Sequence, residues 1–160
     1  MRNRLEWGMA GEDTGGRRPG WTDPGCPVAR TVDLVGDRWS LLIIRDAMDG
    51  ARSFTDFQQR TGIARNILTE RLRRLTAHGL LAQVDAPSGR RRLYALTQAG
   101  KDLFPVIVTL RQWGERHAFE AGEAHSVLVD GDGARVPDLL PVAADGSPLT
   151  SDTTSVRRST

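Results

Sequence analysis

The sequence predicts a mainly α-helical fold that carries a small β-hairpin. Several segments repeat their apolar residues every three or four positions, which is the spacing of helices that bury one face. Two strand-like runs, residues 80–84 and 90–96, flank a Pro-Ser-Gly turn, the pattern of a hairpin. With 160 residues, 39% hydrophobic and 26% charged, the chain suits one ordinary domain with additional segments rather than two full domains.

Residues 1–25 are rich in Gly, Arg and Asp and show no apolar period, so we expect a disordered N-terminal arm. A first helix is predicted from Pro27, where valines follow at helical spacing until Gly36 interrupts them. Asp37 can then cap a second helix, and Gly50 suits its end. Because that second helix has apolar residues on two sides, we expect it at the centre of the core.

A short helix and a longer helix follow, separated by a tight turn at Thr61 and Gly62. Thr55 and Gln58 have capping-box spacing for the short helix, and Gly79 suits the end of the longer one. The longer helix has an inward stripe of leucines: Leu68, Leu72 and Leu75. At roughly 3.6 residues per turn, its outward side collects polar side chains able to read a nucleic-acid groove. These are Asn66, Thr69, Glu70 and Arg73, flanked by Arg65 and Arg74.

The two strands of the hairpin meet at a basic tip, Arg90, Arg91 and Arg92. Thr97 can cap a last helix whose apolar positions alternate spacings of three and four, typical of a seam between two helices. Its members are Ala99, Leu103, Val106, Leu110, Trp113 and His117. Pro105 lies well inside this predicted helix and should kink it.

The charges divide the chain into a basic centre and an acidic end. Residues 26–118 contain 15 basic and 9 acidic residues, whereas residues 119–160 contain 3 basic and 7 acidic ones. Nine arginines within residues 50–92 indicate an anionic partner, and arginine suits phosphate and guanine contacts. The alternative is a genome that favours arginine over lysine, since Lys101 is the single lysine. Composition alone leaves both interpretations open.

Several classes of protein are disfavoured by the sequence. The longest apolar run, Leu41–Ile44, is too short to cross a membrane, and the first residues lack the pattern of a secretory signal. Cys26 is the single cysteine, which excludes an intramolecular disulfide framework and a tetrahedral zinc site with the scattered histidines. No nucleophile turn or phosphate loop is present. We therefore expect a cytoplasmic protein without enzyme activity, metal or cofactor.

A helix-turn-helix followed by a basic hairpin is the winged helix-turn-helix, in which one helix enters the DNA major groove. From Cys26 to about His117 the chain resembles the HxlR-type winged helix-turn-helix transcriptional regulators, which are related to the MarR regulators. The resemblance is carried by motifs in the family's order. They are the Cys-Pro start, the Gly-Asp-Arg-Trp turn, the Leu-Thr-x-Arg-Leu helix, the Leu-Thr before the last helix and its Trp-Gly end.

The resemblance implies a homodimer that binds double-stranded DNA at a pseudo-palindromic operator and regulates a nearby gene, with repression favoured. The side chains expected to approach bases are Arg65, Asn66, Thr69 and Arg73. Those expected to reach phosphates or the minor groove are Arg90, Arg91 and Arg92. The residues expected in the dimer interface are Leu103, Val106, Leu110 and Trp113.

Three details complete the expected site. For Arg71, on the flank of the recognition helix, a phosphate, an intramolecular carboxylate and a base all remain open as partners. Ala64 stands where family members often have a capping Ser, a loss of about 1 kcal/mol of helix stability. Cys26 precedes the first helix, whose amides favour a thiolate. Some similar regulators sense oxidants or electrophiles there, and the alternative is a small buried residue at the dimer contact.

Residues 119–160 form an acidic extension in which two short apolar runs each close on an Asp-Gly turn. Some family members carry a zinc ribbon in this region, and Asp132 and Asp145 stand where cysteines would. A metal-free ribbon-like remnant and a disordered acidic tail both remain open. Two rival functions also remain. One is a regulator switched by a small-molecule effector between the terminal helix and the winged core, and the other is a winged-helix protein-interaction module without DNA binding.

Overall fold

The computed structural model describes residues 20–158, which form six helices and one two-stranded antiparallel sheet. The helices are α1 (Pro27–Val35), α2 (Arg38–Met48), α3 (Phe54–Thr61), α4 (Arg65–Ala77), α5 (Gln98–Lys101) and α6 (Phe104–His117). The strands are β1 (Leu81–Asp85) and β2 (Arg92–Leu96). The predicted mainly helical fold with a hairpin wing is confirmed.

The core lies where α2, α3 and α4 meet the base of the hairpin. Ile43 and Ile44 of α2 are both fully buried, which confirms the central position predicted for that helix. Phe57 of α3 is buried with them. The predicted leucine stripe of α4, Leu68, Leu72 and Leu75, is also buried. Burying one side of α4 in this way turns its opposite side toward solvent.

Local capping explains most helix starts. Asp37 caps α2 as predicted, accepting hydrogen bonds from the amides of Trp39 and Ser40 at 3.1 Å. The prediction for α3 was wrong, because the capping box is formed by Ser53 and Asp56 instead of Thr55 and Gln58. The two pairs have the same spacing, but the observed cap lies two residues before the predicted one. Ser53 is extended, and its hydroxyl accepts a hydrogen bond from the amide of Asp56.

The predicted last helix is divided in two. Thr97 caps α5 as expected, but that helix ends after one turn and α6 begins at Phe104. Pro105 therefore lies in the first turn of α6, where no backbone donor is needed, instead of kinking a continuous helix. Leu103, one of the residues predicted for the dimer interface, lies at this junction and packs against the core.

The predicted N-terminal arm is only partly described, since residues 1–19 lie outside the described range. Residues 20–25 fold back on α1, where the amide and hydroxyl of Thr22 donate to the carboxylate of Asp33 at 2.9 and 2.7 Å. These contacts lower the pKa of Asp33. No helix within residues 20–158 combines the length and the apolar character needed to cross a bilayer.

The acidic extension contains two similar turns. Isolated bridges join Val129 to Arg135 and Val142 to Pro148, and each turn contains a glycine with positive φ. The segment after the first turn packs beside α6 through Gln112, which is 5% exposed. Its side chain donates to the carbonyl of Pro137 and accepts from the amide of Leu139, both at 2.9 Å. The extension is thus tied to the winged domain by a buried amide.

Candidate nucleic-acid interface

The outward side of α4 collects the four side chains predicted to approach bases. Arg65, Asn66, Thr69 and Arg73 are all exposed, because the leucines on the opposite side of this helix are buried. Gly62 adopts a left-handed conformation, φ +65°, which makes the tight turn between α3 and α4. The structure therefore brings the four predicted residues together on one polar helix surface.

The start of α4 is the electropositive end of this surface. Ala64 offers no capping side chain, so the first amides of α4 keep their capacity to bind an anion. The guanidinium of Arg65 lies over the Phe54 ring, 4.8 Å from its centre. This cation–π contact fixes Arg65 near the helix start, where the helix dipole and the side chain both attract phosphate.

Arg73 is held by Glu70, one turn before it on the same side of α4. Its Nε and Nη2 donate to the two carboxylate oxygens of Glu70 at 3.0 and 2.9 Å. This hydrogen-bonded pairing lowers the pKa of Glu70 and raises that of Arg73, so both remain charged at neutral pH. A guanidinium has five N–H donors, and those on Nη1 remain directed away from the carboxylate. In the sequence, opposite charges three residues apart on one helix are the signal for this pair.

Two further arginines of α4 attach the helix to the rest of the domain. Nε of Arg71 donates to Oδ1 of Asp37 at 2.9 Å, and its side chain is 23% exposed. Among the three partners left open for Arg71, the structure therefore shows the intramolecular carboxylate. Nη2 of Arg74 donates to the carbonyl of Asp33 at 3.3 Å. Both contacts fix the orientation of α4 on α1 and α2.

The wing pairs Leu81 with Leu96 at its base and Asp85 with Arg92 at its outer end. Arg90 and Arg91 lie in the turn beyond this last pair, and both are exposed. Within residues 20–158 neither forms an ion pair, so both are available to phosphates. Arg92 differs, because its Nη1 donates to Oε1 of Gln83 across the strands at 2.9 Å. The predicted trio therefore consists of two free arginines and one anchored arginine.

The base of the wing is joined to the helix-turn-helix by main-chain and side-chain contacts that the sequence did not signal. The amide of Tyr94 donates to the carbonyl of Arg52 at 2.7 Å, in the loop before α3. The Tyr94 ring packs edge-on against Phe57 of α3, with ring centres 6.2 Å apart. The hydroxyl of Thr97 donates to the carbonyl of Gly79 at 2.6 Å. These contacts hold the wing tip in a defined position relative to α4.

Cys26 occupies the N-cap of α1, and its side chain is partly buried. Sγ accepts a hydrogen bond from the amide of Ala29 at 3.4 Å. The guanidinium of Arg30, one turn further along α1, lies over the Trp21 ring, 5.0 Å from its centre.

Helix α6 has two opposite sides with different surroundings. Val106, Leu110 and Trp113 are 38%, 49% and 59% exposed and form an apolar row. Val108, Arg111, Gln112 and Glu115 line the side that the extension covers. At about 100° per residue these two sides point in opposite directions. The chain's own extension therefore leaves the apolar row uncovered.

Metal ligands do not come together in the described part of the chain, where no three His, Cys, Asp or Glu side chains form a metal-binding cluster. In the extension, Oδ1 of Asp130 accepts from the amides of Asp132 and Ala134, and Oδ1 of Asp145 accepts from Ser147. The carboxylates of Asp130 and Asp145 thus stabilise their own turns through hydrogen bonds. Neither turn offers the thiolate ligands of a zinc ribbon.

Comparison with known families gives one match over more than half of the chain. The model of the HxlR-like helix-turn-helix family matches residues 34–121. An HTH-type transcriptional regulator from Mycobacterium tuberculosis is 46% identical over 91 residues, which are 56% of this chain and 58% of the relative. The chain thus spans under two thirds of the length of that relative.

Solved structures extend the comparison to the three-dimensional fold. PA1607, described as a candidate transcription factor, matches with a TM-score of 0.82 and 48% identity over 85% of this chain and 96% of its own. The redox regulator HypR in its reduced form matches with a TM-score of 0.54 and 28% identity, over 58% of this chain and 94% of its own. Residues 1–118 are under three quarters of the chain, so the PA1607 match reaches into the extension.

Proposed function

This chain belongs to the HxlR-like helix-turn-helix family, and on that premise we propose that it is a sequence-specific DNA-binding regulator of transcription. The observation that carries the proposal is the exposed polar side of α4 in the same domain as a wing whose base is hydrogen-bonded to the helix-turn-helix and whose tip carries the exposed Arg90 and Arg91. Such a regulator acts on chromosomal DNA in the cytoplasm and needs no enzyme activity.

In this proposal α4 is the recognition helix and lies in the major groove. Arg65, Asn66, Thr69 and Arg73 contact base edges, because Arg suits guanine and Asn suits adenine. The wing arginines, Arg90, Arg91 and Arg92, bind phosphates or enter the neighbouring minor groove. Since Arg92 is already bonded to Gln83, we assign the larger share of wing contacts to the two arginines of the turn.

We further propose that the protein acts as a homodimer and represses its target by occupying a pseudo-palindromic operator. The exposed row of Val106, Leu110 and Trp113 supports this arrangement, because burying such side chains against a second copy removes apolar area from water. A two-fold dimer presents two copies of α4 to half-sites about 34 Å apart, one turn of DNA. Val28 and Val32 of α1, 71% and 57% exposed, add apolar area on the same domain.

Modification of Cys26 is the proposed switch. The thiol lies at the start of α1, where Sγ accepts a hydrogen bond from the amide of Ala29, and the structural similarity to the redox regulator HypR supports a thiol-based response. An oxidant or electrophile that attacks this thiol would perturb the start of α1. The second candidate for the switch is a small-molecule effector between the terminal helix and the winged core. A groove lined by Met48, Tyr94 and Phe104 favours this candidate.

The test is binding of the purified full-length protein to its own upstream DNA, followed by fluorescence anisotropy across a salt series, with and without diamide. Specific binding that diamide abolishes, and that Cys26→Ser renders insensitive, would support the switched regulator. Specific binding indifferent to diamide would keep the regulator and remove the thiol switch. Equal binding to upstream and random DNA would favour a winged-helix protein-interaction module instead.

A further inference from the structure

A groove of about 510 Å³ opens where the end of α2, the loop before α3, strand β2, the end of α5 and the start of α6 meet. This volume lies in the range of clefts that bind small molecules. Its apolar lining comes from four segments of the chain: Ala47, Met48, Ala51, Tyr94, Leu96 and Phe104. Phe104 is 46% exposed, so the groove keeps a large aromatic surface in contact with water.

Both charged residues that line the groove are basic. Arg52 and Lys101 come from the loop before α3 and from α5, and both side chains are exposed. Neither forms an ion pair within residues 20–158. Of the carboxylates beside these segments in the sequence, that of Asp49 pairs with Arg60 at 2.7 Å, and that of Asp102 accepts a hydrogen bond from the side-chain amide of Gln98 at 2.8 Å. Two basic side chains thus border an apolar groove.

The groove is separate from the surfaces assigned to DNA and to the second subunit. Phe104 and Val106 are two residues apart on α6, which places them about 160° apart around the helix axis. The groove therefore opens away from the apolar row of α6. Its lining includes Arg52 and Tyr94, whose carbonyl and amide form the 2.7 Å hydrogen bond that joins the wing to the helix-turn-helix.

We propose that this groove binds a small amphipathic organic anion. A compact apolar body lies against Met48, Tyr94 and Phe104, and a carboxylate at one end pairs with Arg52 and Lys101. Apolar walls with a few placed polar groups are the usual composition of small-molecule sites. Charge-assisted hydrogen bonds from two cations fix the orientation and select an anion over a neutral molecule of the same shape.

The bound anion regulates the wing, and this part of the inference rests on the proposed function. Its carboxylate draws Arg52, while its apolar body contacts Tyr94 on the other side of the wing junction. A ligand that prefers one arrangement of this junction changes DNA affinity, and DNA must change ligand affinity by the same factor. We expect that factor to be about fivefold or more.

The test uses 2-naphthoate as the probe and neutral 2-naphthamide as its control, titrated into the full-length protein and followed by calorimetry and by amide chemical shifts. The expected result is saturable binding of the naphthoate, at least about tenfold tighter than the amide, with shifts at Ala51, Tyr94 and Leu96. Arg52→Ala with Lys101→Ala should remove this preference, whereas Arg157→Ala with Arg158→Ala, an equal change of charge at exposed positions, should keep it.

Equal binding of the acid and the amide, absence of saturable binding, or shifts confined to Leu110 and Trp113 would each overturn the groove assignment. DNA affinity of the same variants is measured separately, without the probe. Intact DNA binding without naphthoate binding would defeat only this inference. Charge-dependent naphthoate binding by a protein that does not bind DNA would keep the groove and defeat the proposed regulator.

Discussion

Arg71 of α4 donates from Nε to Oδ1 of Asp37 at 2.9 Å, and the same oxygen accepts hydrogen bonds from the amides of Trp39 and Ser40 at the start of α2. One carboxylate thus caps the central helix and anchors the recognition helix. Burial of Asp37 would raise its pKa, but hydrogen bonds from Ser40 and the charge of Arg71 outweigh that effect and lower it. The ionised carboxylate is therefore the form that holds the two helices together.

Replacement of this carboxylate should destabilise the fold. Asp37→Ala removes a cap and the partner of a partly buried arginine, and we expect a loss of about 1 to 2 kcal/mol in the free energy of unfolding. Because the folded pKa is lowered, this stabilisation is complete above the unfolded value of about 3.9 and is lost as pH falls through the folded value. Urea titrations of both proteins at several pH values should show the difference shrinking in acid.

The matched control for this experiment is Asp49→Ala, since Asp49 pairs with Arg60 through a carboxylate that is 81% exposed. We expect little change there, because exposed ion pairs contribute about 0 to 1 kcal/mol. A loss as large as that of Asp37→Ala, or a loss for Asp37→Ala that does not depend on pH, would contradict the assigned role.

Base selection by Arg73 should depend on Glu70. Arg73→Ala is expected to relax discrimination at one operator base pair by about 1 to 3 kcal/mol, and Arg73→Lys should not restore it. Glu70→Gln removes the charge that orients the guanidinium. Discrimination should then fall while overall affinity is kept or rises, since a negative charge near phosphates is lost. Binding to a library of single-base operator variants measures both quantities. Unchanged discrimination in Arg73→Ala and Glu70→Gln would show that the recognition surface lies elsewhere.

Wing contacts should lack sequence preference. We expect Arg91→Ala to weaken binding to all DNA sequences alike and to reduce the slope of log K against log salt by about one ion. Arg92→Ala should have a smaller effect, because that side chain is bonded to Gln83 across the strands. The check is a salt series on operator and random duplexes, and a selective loss of operator binding in Arg91→Ala would argue for base reading by the wing.

Substitutions in the exposed apolar row of α6 and at Leu103 should have different effects, the first on dimerisation and the second on folding stability. Leu110→Asp introduces a charge into the exposed apolar row, so dimer dissociation should become far easier while the helical content is kept. Leu103→Ala, which truncates a residue packed on the core, should instead lower the unfolding free energy by about 2 kcal/mol or more and leave the subunit contact intact. Analytical ultracentrifugation and thermal unfolding distinguish the outcomes, and a stable dimer of Leu110→Asp would exclude this surface.

Packing of the extension against α6 should depend on the buried side-chain amide of Gln112. Gln112→Ala leaves the carbonyl of Pro137 and the amide of Leu139 without their partner, which costs about 1 to 3 kcal/mol locally. Hydrogen exchange should accelerate at Leu139 and Val136, with DNA affinity unchanged. Gln98→Ala removes an exposed hydrogen bond to Asp102 and should leave exchange in the extension as it was. Equal protection in both variants would show that other contacts hold the extension.

Local rules predicted the parts of the fold that depend on neighbouring residues. The leucine stripe of α4, the cap at Asp37 and the cap at Thr97 need only helical periodicity and a side-chain oxygen near free amides. The division of the last helix was missed, because a proline inside an apolar period is compatible with a kink and with a new helix start. In the folded chain Leu103 packs on the core where α5 gives way to α6.

The candidate site was predicted less evenly than the fold. Exposure of Arg65, Asn66, Thr69 and Arg73 follows from the opposite leucine stripe, which the sequence displays directly. The ion pair of Arg71 with Asp37 joins residues 34 positions apart, and no local pattern announces it. The groove beside Tyr94 likewise arises from four segments that meet only in the folded chain.

The placement of the extension has a consequence for how such chains change over evolution. Since the extension packs on the side of α6 opposite the apolar row, a C-terminal segment can be added or removed without redesign of the row. The matches fit this modularity, as HypR aligns over 58% of the chain and PA1607 over 85%. A C-terminal appendage on this side of α6 leaves Val106, Leu110 and Trp113 exposed.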